Sequence, residues 1–169
     1  MDSTMEGMLE TYLFETNDLL DKLDEMLMKD EQEGDFSTDD VNEIFRIMHT
    51  IKGSSAMMEF TSISVIAHKI EDLFFVIRDK GIDFLKPQDK KDLFDLMFRS
   101  EDYLRGEVEK VEQGEELNQD TSDFEKTIAD FLVRIQKDEE ESEEEEKSPA
   151  KAPAYEANDK AKETAPSSS

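Results

Sequence analysis

Apolar residues recur every three or four positions along most of the chain. From Glu6 to Lys29, Leu9, Tyr12, Leu13, Leu19, Leu20, Leu23, Met26 and Leu27 fall on one stripe with Thr16. That spacing predicts a long amphipathic helix, which Asp30 to Asp35 with Gly34 should end. Ser37 and Asp40, three residues apart, match the cap of a second helix with Val41, Ile44, Phe45, Met48, Ile51 and Met58 inward. After a break near Glu59 to Ser62, Ile63, Ile66, Ala67, Ile70, Leu73, Phe74 and Ile77 mark a third helix, which Gly81 should stop. Pro87 suits the first turn of a fourth helix, which carries Phe94, Met97, Phe98, Leu104, Val108 and Val111. Beyond a loop from Gly114 to Asp120, Ser122 with Glu125 reads as a capping box opening a fifth, with Phe124, Ile128, Phe131, Leu132 and Ile135 inward. No segment alternates at the two-residue period of a strand. The expected fold is therefore all-α, an up-down antiparallel four-helix bundle core with an additional fifth helix.

The pattern fails at Asp138. From there to Glu146 every residue but Ser142 is acidic, and Ser148 to Ser169 is rich in alanine, proline, serine and lysine. Dense like charges repel, and no apolar face remains to offset the entropy of ordering. A folded domain over residues 1–137 is thus expected, followed over 138–169 by a disordered acidic, then Ala/Pro/Ser-rich, linker or tail. A tether with no second domain after it suggests a fragment of a longer protein.

Charge narrows the possible partners. The formal net charge is -25, and the 20 lysines and arginines form no basic patch in sequence. Nucleic acid and anionic membrane surfaces, both bound through clustered cations, are excluded as partners. With no cysteine there is neither a disulfide nor a thiolate zinc site. The N-terminus does not resemble a signal peptide, and no apolar run approaches the roughly 20 residues needed to span a bilayer. A soluble, cytoplasmic, monomeric protein is expected.

The candidate chemistry lies in Met48 to Ser55, Met-His-Thr-Ile-Lys-Gly-Ser-Ser. Residues three apart are neighbours on a helix, so His49 and Lys52 can serve one site. In 100° steps His49 falls at the edge of the apolar stripe, its backbone anchored and its ring in reach of solvent. Gly53, on the same outer side, costs the helix about 1 kcal/mol relative to alanine and leaves room for another protein to approach. In the third helix Glu71 lies at the margin of the stripe, three residues after His68. If that helix neighbours the second, the Glu71 carboxylate can accept a hydrogen bond from one nitrogen of His49, fix the tautomer and leave the other nitrogen free as a nucleophile. Lys52 would then neutralise the oxygens of an incoming phosphoryl group.

Other chemistries lack their signatures. No His-x-x-x-His or His-Glu-x-x-His spacing marks a metal site, no serine sits in a nucleophile elbow, and no glycine-rich loop would cradle ATP. No metal or cofactor is assigned to the chain. The competing class is a non-catalytic acidic helical interaction module, in which His49 is incidental.

His49-Thr50-Ile51-Lys52-Gly53-Ser54, followed about one helix later by His68-x-x-Glu71, resembles the histidine-containing phosphotransfer (HPt) domain family, in the form that opens bacterial chemotaxis histidine kinases. The resemblance spans roughly residues 6–137. It implies that a separate ATP-binding kinase domain phosphorylates His49, which passes the phosphoryl group to an aspartate of a response-regulator receiver domain. Lys52 would assist, Glu71 orient the ring, His68 belong to the surrounding hydrogen-bond network and Gly53 keep the approach open. ATP and magnesium would be held by the partner domains. The chain would be a piece of a protein histidine kinase, with no turnover of its own. One departure is Glu59, where the family often has glycine before the phenylalanine that begins the turn; fraying of the second helix is the consequence to look for there.

Overall fold

Each capped, apolar-periodic segment becomes a helix. The computed structural model describes residues 3–141. Helices α1 (Ser3–Glu33), α2 (Thr38–Met57), α3 (Thr61–Lys80) and α4 (Pro87–Gln113) are followed by α5, residues 122–141, and a short 3-10 turn, Ile82–Phe84, precedes α4. There is no strand among the described residues. None of their helices is long and apolar enough to cross a membrane.

The first four helices pack in ring order, each antiparallel to its neighbours. Between α1 and α2, the Tyr12 and Ser55 hydroxyls share a buried hydrogen bond of 2.7 Å near one end, and Lys29 pairs with Asp40 at 3.0 Å near the other. Between α1 and α4, Asn17 Nδ2 donates to Glu112 and Arg105 pairs with Asp21. Leu20, Leu23, Ile44, Ile51, Ile66, Ile70, Leu93 and Met97 are fully buried between them. At about 1.5–3 kcal/mol for each such side chain, this interior outweighs any single helix cap or surface ion pair. Two interior carboxyls are raised above their ordinary values. Burial pushes the Asp30 carboxyl to about 7, helped by the adjacent Asp40 carboxylate, and pushes Glu101 to about 7 against the pull of Arg105.

The expected bundle is the fold observed, and α5 supplies the additional helix by packing beside α4. Phe124 stacks on Tyr103 with centroids 5.1 Å apart, Ile128 and Ile135 are buried, and Arg134 reaches Asp89 at 3.0 Å and Asp92 at 2.8 Å. Two expectations need correction here. Ser122 is not the cap. The carbonyl of Thr121 accepts the first helical bond, from Glu125 N, the Thr121 hydroxyl donates to the Glu125 carboxylate, and Asp120 Oδ1 accepts from Ser122 N and Oγ. Nor does Asp138 end the order, since the helix continues through Glu141. Glu139 pairs there with Lys80 at 2.8 Å, a cross-link to α3 that offsets the repulsion among the acids. Residues 142–169, most of the expected linker, lie outside the described residues.

The end of α2 sets how the site is presented. Phe60 N donates to Ser55 O and Glu59 N to Ala56 O, the paired bonds of a Schellman motif, so the helix closes cleanly without fraying. The same pairing ends α1 at Gly34 and α4 at Gly114, both with positive φ. At α2 the left-handed position is filled by Glu59, at φ 63°, the only non-glycine with positive φ among the described residues. A side chain there costs about 1–2 kcal/mol, and glycine gives back part of that in unfolded-state entropy. Glu59→Gly should therefore stabilise the domain by roughly 0.5–1 kcal/mol, seen as a raised urea midpoint at unchanged slope. An unchanged or lowered midpoint would show that the strain is absent.

Candidate functional site

The four-residue link between α1 and α2 and the three-residue turn between α2 and α3 set α2 and α3 side by side, and the site lies on their outer seam. His49 occupies the exposed edge of α2, with 64% of its side chain accessible, while Glu71 on α3 is buried. The two meet at 2.5 Å, Nδ1–H donating to Glu71 Oε2. With Nδ1 carrying the proton, a neutral ring has its lone pair on Nε2, the atom a second molecule would meet. The other carboxylate oxygen, Oε1, pairs with Lys52 Nζ at 2.7 Å. One buried carboxylate thus holds both candidate side chains across the helix interface.

Electrostatics keep that carboxylate charged. Burial opposes its ionisation, yet the Lys52 and His49 contacts outweigh burial and hold the Glu71 carboxyl below its ordinary value. The backbone beneath is cross-linked too, as Ser64 Oγ on α3 donates to the Lys52 carbonyl at 3.0 Å. Gly53, one turn beyond His49, is exposed, and a Cβ there would meet nothing within 4 Å. Helix packing therefore does not require glycine at this position, whereas close approach from outside would benefit from it.

His49, Lys52 and Glu71 are thus brought together and Gly53 lies on their outer face. His68 stands apart: its contact is Asp72 on its own helix, Nε2 to Oδ1 3.6 Å, and no hydrogen bond joins it to the other three among the described residues. Two neighbours escaped the sequence reading. The Phe45 ring lies nearly parallel to the His49 imidazole, at 10° and 6.4 Å between centroids, and the Arg78 guanidinium sits 4.1 Å above that ring. The apolar stripe of α2 places Phe45 inward, whereas its position one turn before His49 puts its ring on the same edge as the imidazole. No group of three or more potential metal ligands occurs among the described residues. A groove of about 520 Å³ between Met8 and Tyr12 of α1 and Met57 and Met58 of α2 does not include His49. The imidazole is instead displayed on a helix surface, where another protein's active site can reach it.

Residues 7–138 match the Hpt domain family. Among curated proteins, the chain is 32% identical over 133 residues to "Chemotaxis protein CheA" of Borreliella burgdorferi, covering 79% of this chain and 15% of that protein. Against "Chemotaxis protein CheA" of Listeria monocytogenes it is 28% identical over 137 residues, 79% of this chain and 20% of that protein. "Sensor histidine kinase CheAY" of Helicobacter pylori matches at 32% over 105 residues, 62% of this chain and 12% of that protein. The chain therefore spans a fifth or less of the length of these relatives.

Proposed function

Because this chain belongs to the Hpt domain family, we propose that it is the phosphoacceptor and relay domain of a cytoplasmic chemotaxis histidine kinase, with His49 as the residue that carries the phosphoryl group. The observation that supports this most directly is the single buried carboxylate of Glu71 joining His49 and Lys52. In the first step His49 Nε2 attacks the γ-phosphorus of ATP held by a separate kinase domain. The N–P bond forms as the bond to the ADP oxygen breaks, and the metal needed for that step belongs to the kinase. Positive charge grows on the imidazole as its lone pair is donated, and Glu71, already accepting from Nδ1, stabilises it. Lys52, within one helical turn, offers its ammonium group to the transferring oxygens.

In the second step a carboxylate oxygen of a receiver-domain aspartate attacks phosphorus, the N–P bond breaks and the ring returns to its starting form. The domain serves as substrate and carrier, with its own residues supplying orientation and charge. The five helices, within residues 3–141, suffice for this role. Phosphorus NMR of the chain after incubation with ATP and a chemotaxis kinase domain is expected to show a phosphohistidine resonance. Specific binding of the two proteins without that resonance would instead support an acidic interaction module.

A further inference from the structure

Beside His49 lies a second group of side chains that the two transfer steps do not use. Arg78 of α3 rests over Phe45 at 4.1 Å and over Phe75 at 5.6 Å, and Phe75 is 52% exposed. The Phe45 and Phe75 rings are 6.4 Å apart, and Phe45 in turn faces the His49 ring. A guanidinium held over an aromatic face by cation–π attraction still has N–H donors to offer, and its planar fork matches a carboxylate.

Among the described residues Arg78 has no carboxylate partner of its own and forms no ion pair, whereas Arg46 on the same face is held by Glu43 and Arg105 and Arg134 each meet two acids. In a chain with 45 acidic residues that is a charge left uncommitted. The surrounding field favours its use. Helices α2 and α3 together carry six acidic and five basic residues, while α1 carries ten acidic residues against two basic. An acidic partner is thus repelled by α1 and least opposed along the α2–α3 seam.

We propose that Arg78, Phe45 and Phe75 form the docking patch for the response-regulator receiver domain, Arg78 engaging a carboxylate at the rim of that domain's acceptor site and Phe75 an apolar side chain beside it. This rests on His49 being the phosphoryl donor. The receiver fits better than the kinase because its nucleophile is itself a carboxylate. That carboxylate must approach a phosphoryl dianion on a chain of net charge -25, whereas the kinase neutralises its nucleotide with its own metal.

The test uses the full chain phosphorylated on His49, freed of kinase and ATP, and mixed with a chemotaxis receiver domain over a range of concentrations. Arg78→Gln should raise the half-saturating receiver concentration about tenfold while changing the maximal transfer rate less than about twofold, and Phe75→Ala should raise it several-fold. Arg78→Lys should recover only part of the loss, because an ammonium group keeps charge without the planar fork. Added salt should weaken wild-type docking more steeply than that of Arg78→Gln. Discharge of phospho-His49 by hydroxylamine, which needs no docking surface, should proceed alike in all of them. Half-saturation unchanged in both Arg78→Gln and Phe75→Ala would overturn the patch while leaving the donor role intact, and a hydroxylamine rate that fell with Arg78→Gln would place Arg78 in the transfer chemistry instead. Failure of wild type to take up phosphate at all would overturn the donor reading, and this one with it.

Discussion

His49→Gln is expected to carry no acid-labile phosphate after incubation with kinase and ATP under conditions in which wild type is labelled to near stoichiometry. Glutamine is close to histidine in size but has no nitrogen lone pair to attack phosphorus, so the loss should reach the detection limit, on the order of 10³-fold or more. The substitution leaves the fold alone, because the His49 side chain is 64% exposed and the buried Glu71 carboxylate keeps Lys52 as its partner. An unchanged circular dichroism spectrum together with lost labelling assigns the effect to chemistry. Equal labelling of both proteins would mean that the phosphate sits elsewhere, with His68 the first alternative to examine.

Much of this arrangement could be read from the chain because helical bundles are built from local signals. Ser37 accepts from Asp40 N as their spacing implied, Pro87 opens α4, and Gly34 and Gly114 terminate their helices with left-handed backbone. The inward stripes of α2 and α3 followed from periodicity, and the position of Glu71 at its stripe's margin pointed toward a neighbouring helix. What periodicity leaves open is contact between helices. The Lys52 ammonium goes to the second oxygen of Glu71, and His68 is turned to Asp72, because both outcomes depend on how α2 and α3 are rotated against each other. Phe45 was legible as apolar but not as the ring beneath Arg78, for the same reason.

Glu59 and Asp138 were obscure in a different way. Each violates a local preference, left-handed backbone at a glutamate and helix within an acidic run, and each is overruled by interactions distant in sequence. Phe60, the residue after Glu59, is pinned edge-on against Tyr12 at 5.1 Å, and Glu139, the residue after Asp138, against Lys80. A preference of about 1–2 kcal/mol yields readily where burial of a single large side chain contributes as much.

Glu71→Ala should slow phosphorylation of His49 by about 10–100-fold, the range typical of removing the group that orients a functional histidine. Three effects add in the same direction. The ring loses the acceptor that keeps the proton on Nδ1, the charge growing on it during attack loses its counterion, and Lys52 is released from its place beside the imidazole. Glu71→Gln separates them, since its amide oxygen can still accept from Nδ1–H but carries no charge. Rates between those of wild type and alanine would divide tautomer control from electrostatics. The stability cost should be small because the freed Lys52 side chain is 27% exposed and can turn its ammonium to water, so the helical circular dichroism signal is expected to persist. The pH dependence has a definite sign. A carboxyl whose folded-state value lies below its ordinary 4.5 contributes stability that is complete above about 4.5 and is lost as pH falls through the lower, folded value. Wild type should therefore keep this contribution across the neutral range and lose it only in acid, and both variants should lack that acid-side decline. A Glu71→Ala protein unfolded at neutral pH would make Glu71 part of the scaffold, and the slower labelling would then say nothing about how His49 is poised.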